Sequence, residues 1–298
     1  MNVNKILVGG VICIFLLGVG EFGLRLYGFG KMPLYYASDE YEYMSCPNQD
    51  GRRFGNQYHY NSYSQRSDEP DSTKCIILGL GDSVIYGGIR VDQDSLATSL
   101  FTKETGMQML NISAGSWGPD NCAAYLNKFG TFNAKAMFLV VSSHDAHDIM
   151  DFQPVVGVYP SYPSKQYPLA MMEVLYRYIL PRIFKKKKMD PDQQVDQGIR
   201  KGGIEFNPGF DELKAIAKEK NIPLFIYLHA ERSELQAGEY NDQGREIIQW
   251  AIDNKIPLVR ELDYHFTSSD YLDAIHLSAS GQRKLADIME ETIQIDVS

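Results

Sequence analysis

The chain opens on an uninterrupted uncharged run, Ile6 to Gly20 (ILVGGVICIFLLGVG), with Lys5 before it and Glu21 and Arg25 after it. A bilayer span needs about 20 residues. Asn4 at one end and Phe22 to Leu24 at the other bring the run near that length, with Glu21 snorkelling at the edge. The pattern predicts a transmembrane helix within residues 1–29, kept as an anchor. A cleaved signal segment competes with it. The run has the length of an h-region, but small residues in a cleavage pattern stand only around Gly18 and Gly20, and Ile12 before Cys13 is a poor context for lipoprotein processing. A buried core helix is the third reading. The amino terminus and Lys5 bias the start of the chain inward and its bulk out of the cytoplasm.

Residues 30–73 show little periodicity and are rich in Tyr, Ser, Asn and Asp. They read as an irregular, hairpin-containing lead-in laid over the domain, with its tyrosines packed against it. The alternative is a carbohydrate-facing surface, since tyrosine offers a ring to stack and a hydroxyl to bond.

From Lys74 onward short apolar runs alternate with helical stretches. CIILGL (75–80), MQMLNIS (107–113), AKAMFLVVSS (134–143), IPLFIYLHA (222–230) and IPLVREL (256–262) read as strands. Helical patterns fall at 95–104, 121–129, 209–220, 246–254 and 280–293. Continuous apolar runs are the mark of strands covered on both faces. Strands separated by helices predict an α/β fold: a five-stranded parallel, flavodoxin-like sheet over residues 74–298. An insertion at about 151–205 interrupts the alternation. It holds several prolines, a helical stretch broken by Pro181, and the lysine run 185–188. The lysines read as a solvated turn, with contact to an anionic membrane or polymer as the alternative. An insertion this long suits a lid or substrate wall.

With 44% hydrophobic residues in 298, the chain can bury a globular core. Its formal charge of -9 argues against a partner bound by neutralising phosphates, and so against nucleic acid. The four cysteines, Cys13, Cys46, Cys75 and Cys122, form no C-x-x-C pair. They read as free thiols. A disulfide from Cys46 to Cys75 or Cys122 is the extracytoplasmic alternative.

Three segments carry candidate chemistry. Gly81-Asp82-Ser83 lies just past the first strand, at the carboxyl edge where open α/β sheets bind ligands. Alone, the tripeptide is equally an ordinary turn with a helix cap. In YLDAIHLSASGQ, Asp273 and His276 stand three apart before the last helix, at the same edge. A carboxylate there would orient the imidazole, which would take a serine proton. Gly115, in NISAGSWG after the second strand, lets a backbone N–H approach a substrate oxygen.

Taken together and in this order, these residues resemble the SGNH/GDSL hydrolases across roughly residues 74–295. The lead-in LRLYGFGKMPLYY (24–36) and the ending IHLSASGQ (275–282) resemble membrane-anchored members of surface polysaccharide clusters. The resemblance implies a three-layer α/β/α sandwich. It also implies Ser83 as nucleophile, His276 as general base and then acid, and Asp273 as orienting carboxylate. The N–H groups of Ser83 and Gly115 would bind the oxyanion, with Asp82 supporting the nucleophile loop. One block departs from the family: where Gly-x-Asn-Asp is usual, the chain has Ser142-Ser143-His144-Asp145. His144 takes the place of the oxyanion Asn, with Asp145 beside it in support. A histidine N–H can donate in its stead.

The expected function is a serine esterase removing an acyl group, acetyl first, from a carbohydrate or other acylated small molecule. It would be membrane-anchored, or secreted if the leader is cleaved. An O-acetyltransferase using the same triad and a decayed polysaccharide-binding protein are the alternatives. The chemistry needs no cofactor. A metal held by His144, Asp145, His147 and Asp148, with His229 and Glu231, is a lesser reading, because neighbours in sequence cannot all face one point; no metal is expected.

Overall fold

The computed structural model describes residues 3–184, 199 and 201–294. Helix α1 (Val3–Tyr27) comes first, then two antiparallel hairpins: β1 (Tyr35–Ser38) with β2 (Glu42–Ser45), and β3 (Gln49–Arg53) with β4 (Asn56–Tyr60). Strands and helices then alternate through β5 (Ile76–Gly81), α2 (Ser83–Tyr86), α3 (Ala97–Thr105), β6 (Gln108–Ser113), α4 (Pro119–Phe129) and β7 (Ala136–Ser142). The insertion carries α5 (Ala170–Glu173), a widened π turn (Val174–Ile179) and α6 (Leu180–Phe184). The alternation resumes with α7 (Gly209–Lys220), β8 (Leu224–His229), α8 (Arg232–Ala237), α9 (Asp242–Asn254), β9 (Leu258–Arg260) and α10 (Ala279–Thr292).

The last five strands form one parallel sheet in the order β6-β5-β7-β8-β9. This is the flavodoxin-like order, in which the chain reverses direction across the sheet between β5 and β7. Successive side chains of a strand point to opposite faces, and here both faces are covered. Leu78, Leu80, Leu139 and Ile226 pack with Leu126 of α4, Leu213 of α7 and Ile247 of α9. Ile77, Phe138, Val140 and Tyr227 pack on the other side with Phe101 of α3 and with Leu285 and Met289 of α10. Each such side chain contributes about 1.5–3 kcal/mol by leaving water. The product is the three-layer α/β/α sandwich. Strand β9 is shorter than its apolar run because the chain tightens into a 3₁₀ turn at Glu261–Asp263, where the Glu261 side chain turns inward.

Gly81 ends β5 with φ +151°, and a Cβ there would come within 2.4 Å of the Val140 carbonyl oxygen on the neighbouring strand. Only glycine lets the chain leave the sheet at this point. Gly81→Ala is expected to lower stability by about 1–3 kcal/mol, read as a lower Tm in thermal unfolding.

Five of the seven lead-in tyrosines face inward. Tyr35, Tyr41, Tyr43, Tyr58 and Tyr60 are all buried, and the Tyr35 and Tyr60 hydroxyls both meet that of Tyr86 on α2. They brace the turn that carries residue 83, so the packing reading holds over the sugar-facing one. Two buried ion pairs tie the lead-in to the insertion: Arg53 with Glu173, and Lys201 with Glu42. The insertion helix does not stop at Pro181. It runs through to Phe184, and the irregularity lies ahead of the proline, where Leu180 N–H reaches back five residues to the Leu175 carbonyl. A proline ring collides with the carbonyl four residues earlier in a regular helix, and the wider turn makes room for it. The lysine run 185–188 lies outside the described residues. All four cysteines are free thiols.

Within α1, Leu7–Tyr27 has mean hydropathy 2.2, and the described protein buries none of the apolar stretch. By length and composition it suffices to cross a membrane.

Candidate active site

The parallel register brings the candidate residues to one edge. Gly81 of β5 pairs with Ser113 of β6 and with Val140 of β7, and Ser142 pairs with His229 of β8. Ser83 and Gly115 therefore each lie two residues beyond an aligned pair, with His144 four beyond Val140.

Asp82 caps α2. Its buried carboxylate accepts the Val84 N–H at 2.8 Å and has the Ser142 hydroxyl at 3.5 Å. The cap sets Ser83 at the first helical position, partly exposed. The Ser83 hydroxyl makes no hydrogen bond with another described residue. Gly115 lies under a lid of rings: Tyr43 Oη donates to its carbonyl at 2.9 Å, and a Cβ at Gly115 would stand 2.6 Å from Tyr162 Oη.

Asp273 and His276 are paired in the loop before α10. His276 Nδ1 is 3.0 Å from both carboxylate oxygens, and the backbone N–H groups of Ile275 and His276 donate to Asp273 Oδ1 at 3.0 and 2.9 Å. Burial works against the charge on Asp273. The His276 hydrogen bond and charge, with the two backbone donors, outweigh it and hold the carboxyl far below its ordinary value. A carboxylate on Nδ1 assigns the ring proton there and leaves the Nε2 lone pair to take a proton. The structure thus joins Asp273 to His276 but puts no hydrogen bond between His276 and Ser83. Unliganded sites often hold this link open and close it on substrate.

Two further groups hold this loop. The Arg90 guanidinium donates to Asp273 Oδ2, with its Nη2 3.2 Å from His276 Nδ1. Beneath, His229 is fully buried. Its Nδ1 meets Glu261 Oε2 at 2.6 Å and its Nε2 donates to the Ile275 carbonyl at 2.7 Å. Glu261 also accepts from the Tyr227 hydroxyl at 2.7 Å and from Tyr271. Burial disfavours a charged His229, but the Glu261 carboxylate and its hydrogen bond prevail and raise its pKa. A doubly protonated ring fits two acceptors, and it pins the backbone between Asp273 and His276.

His144 sits among carboxylates. Its Nδ1 meets Glu231 Oε1 at 3.2 Å, while Nε2 stands 3.8 Å from Asp145 Oδ1 and 4.0 Å from Asp148 Oδ2. Burial depresses its pKa. The Asp145 charge, the Glu231 hydrogen bond and the charges of Asp82 and Asp148 overcome that and push it up to about 10, which favours the imidazolium at neutral pH. Asp145 receives the Ser142 N–H at 2.7 Å on Oδ2, and its buried Oδ1 has no hydrogen-bond partner among the described residues. Burial pushes the Asp145 carboxyl well up, and it lifts that of Asp148 to about 6. Asp82, His144 and Asp145 present ligand-type atoms within 4.8 Å of one another, a set with the chemistry to hold a cation. The imidazolium already supplies positive charge at this spot. His147 and His229 do not join the group: His147 pairs with Glu246 at 2.6 Å, and His229 is enclosed by Glu261.

No protein-family model matches the chain, and no curated protein matches it in sequence. Solved structures resemble it in fold. A member of the lipolytic protein G-D-S-L family from Veillonella parvula is 10% identical, with TM-score 0.39, covering 74% of this chain and 98% of that one. Est24, a carbohydrate acetylesterase from Sinorhizobium meliloti, is 12% identical, with TM-score 0.42 over 74% of this chain and 98% of its own. The aryl esterase of M. smegmatis in inhibitor-bound form gives 12% and 0.43, with the same coverage. Likeness at this identity and score carries no argument about activity.

Proposed function

We propose that this chain is a serine esterase of the SGNH/GDSL type that removes an acyl group, acetyl first, from a carbohydrate. The observation that carries it is the Asp273–His276 pair, its Nε2 without a partner among the described residues, on the sheet edge that also bears Ser83. In this reading Ser83 Oγ attacks the acyl carbonyl carbon while His276 Nε2 takes the hydroxyl proton. Asp273 stays ionised and stabilises the imidazolium. The oxyanion meets the N–H groups of Ser83 and Gly115 and the Nε2–H of His144, which has no acceptor within hydrogen-bond reach among the described residues. The C–O bond to the sugar then breaks as His276 protonates the departing oxygen, and the sugar leaves as the alcohol. Water attacks the acyl-enzyme while His276 takes its proton, and His276 returns that proton to Ser83 Oγ as the acid leaves, so Ser83 is restored. Helix α1 anchors the enzyme, with the catalytic domain outside the cytoplasm.

A fluorophosphonate probe tests the nucleophile. Labelling at Ser83 is expected, and it should vanish in His276→Ala. A folded chain that resists the probe would return the protein to the class of polysaccharide binders. The oxyanion role has its own test. His144→Ala is expected to lower kcat on p-nitrophenyl acetate by about two to three orders of magnitude with little change in KM. His144→Asn, which restores an amide donor, should recover part of that loss; equal losses in both would remove His144 from the oxyanion site.

A further inference from the structure

We propose that the outer face of the α5–α6 segment lies in the headgroup layer of the bilayer that α1 enters, making the insertion a second membrane contact. This rests on the reading of α1 as an anchor. The first observation is a junction. Glu21 of α1 accepts the backbone N–H groups of Ala170 and Met171, at 2.8 and 3.0 Å, and Arg25 Nη2 donates to the Pro168 carbonyl at 2.8 Å. The start of α5 is thereby fixed at the level of Glu21.

That level is the bilayer boundary. At 1.5 Å per residue, the uncharged run from Ile6 to Gly20 spans about 22 Å, most of the roughly 30 Å of hydrocarbon. Glu21 and Arg25, paired at 2.6 Å, then emerge where charge is tolerated, and α5 starts beside them.

The second observation is what the segment turns outward. Its inner face is committed: Glu173 binds Arg53 and the Gly30 N–H, and Tyr178 packs edge-on against Phe29 at 5.7 Å. Its outer face carries Leu175, Tyr176, Ile179, Ile183 and Phe184, all exposed, the last two at 66% and 74%. Residues 175, 179 and 183 recur every four positions, which keeps them on one side of the helix. Phe22 and Leu26 on α1, next to the residues that make the junction, are exposed as well. Arg182, exposed, borders the stripe with a stem long enough to carry its guanidinium toward lipid phosphates, while Arg177 turns inward and donates to Met32 Sδ at 3.1 Å. A helix with one apolar face and a basic border lies in the plane of the interface, its apolar face sunk about 5–10 Å. A water-facing stripe of five large apolar residues has no such compensation.

The test uses the full chain reconstituted in phosphatidylcholine–phosphatidylglycerol vesicles carrying brominated acyl chains. Three single variants each add one tryptophan at an exposed position: Ile183→Trp on the proposed contact, Phe15→Trp within the span, and Ile252→Trp on α9 as a solvent reference. Fluorescence is compared with that of the parent, which holds Trp117 and Trp250. Ile183→Trp should be quenched at least about two-fold more than Ile252→Trp, most strongly by lipids brominated near the headgroup. Phe15→Trp should respond most to deeply brominated lipids. Quenching of Phe15→Trp with Ile183→Trp no different from Ile252→Trp overturns the second contact and spares the anchor. If Phe15→Trp is unquenched, the anchor reading fails and takes this inference with it.

Discussion

Replacing Ser83 by alanine is expected to lower kcat on p-nitrophenyl acetate by roughly four orders of magnitude or more, with the fold intact. Removing a nucleophile collapses the covalent route and leaves only what binding and oxyanion donors supply. Stability should change by less than about 0.5 kcal/mol. The Ser83 hydroxyl has no hydrogen bond to lose among the described residues, and the Asp82 cap and the buried Val84 and Ile85 that hold the turn are untouched. Circular dichroism and Tm would therefore match the parent while turnover disappears. A Ser83→Ala protein that still releases p-nitrophenol at the parent rate would remove this residue as nucleophile.

The second large effect belongs to a residue that touches no substrate. Glu261→Gln is expected to cost about 3–5 kcal/mol, because it strands a buried protonated imidazole. In a chain of this size that is a Tm lower by roughly 6–15 °C. The sign with pH comes from His229, whose folded pKa is raised. Its stabilising contribution is complete below the unfolded value, near 6.5. It fades as pH climbs through the folded value. The Tm gap between parent and Glu261→Gln should therefore be widest at mildly acidic pH and narrow in alkali. A gap independent of pH would mean that Glu261 acts through packing alone. Activity should fall as well, since His229 holds the Ile275 carbonyl inside the Asp273–His276 loop.

The five strands were legible because a strand covered on both faces writes a continuous apolar run, and β5 to β8 are nearly all interior. The turn residues at their ends then fall at one edge, which is what singles out Ser83, Gly115, Asp273 and His276. Arg90 carries no such signal. It comes after two glycines on a 3₁₀ turn with no periodicity, and its carboxylate partner stands 183 residues away. Glu261 falls inside the run read as the fifth strand, IPLVREL (256–262), where it carries no signal of its own. Its burial is set by Tyr227, His229 and Tyr271, donors that only the folded sheet assembles. His144 was legible as a departure, but not its charge, which four separate carboxylates impose. Pro181 misled in the other direction: a local rule foresees a broken helix, and a wider turn absorbs the ring.

The hydrogen bond from Gly30 N–H to Glu173 joins residues 143 apart, and its consequence is one of timing. Closing so long a loop adds little free energy, because the entropy grows only with the logarithm of its length. On the ribosome, however, a stretch of that length takes roughly 7–30 s to appear. During that interval α1 has emerged while its docking site on α5 is still unsynthesised, and Arg53 waits without its carboxylate. The first segment made is thus among the last to be locked, and the nascent chain is most vulnerable to proteolysis or mispairing at the junction that later holds it.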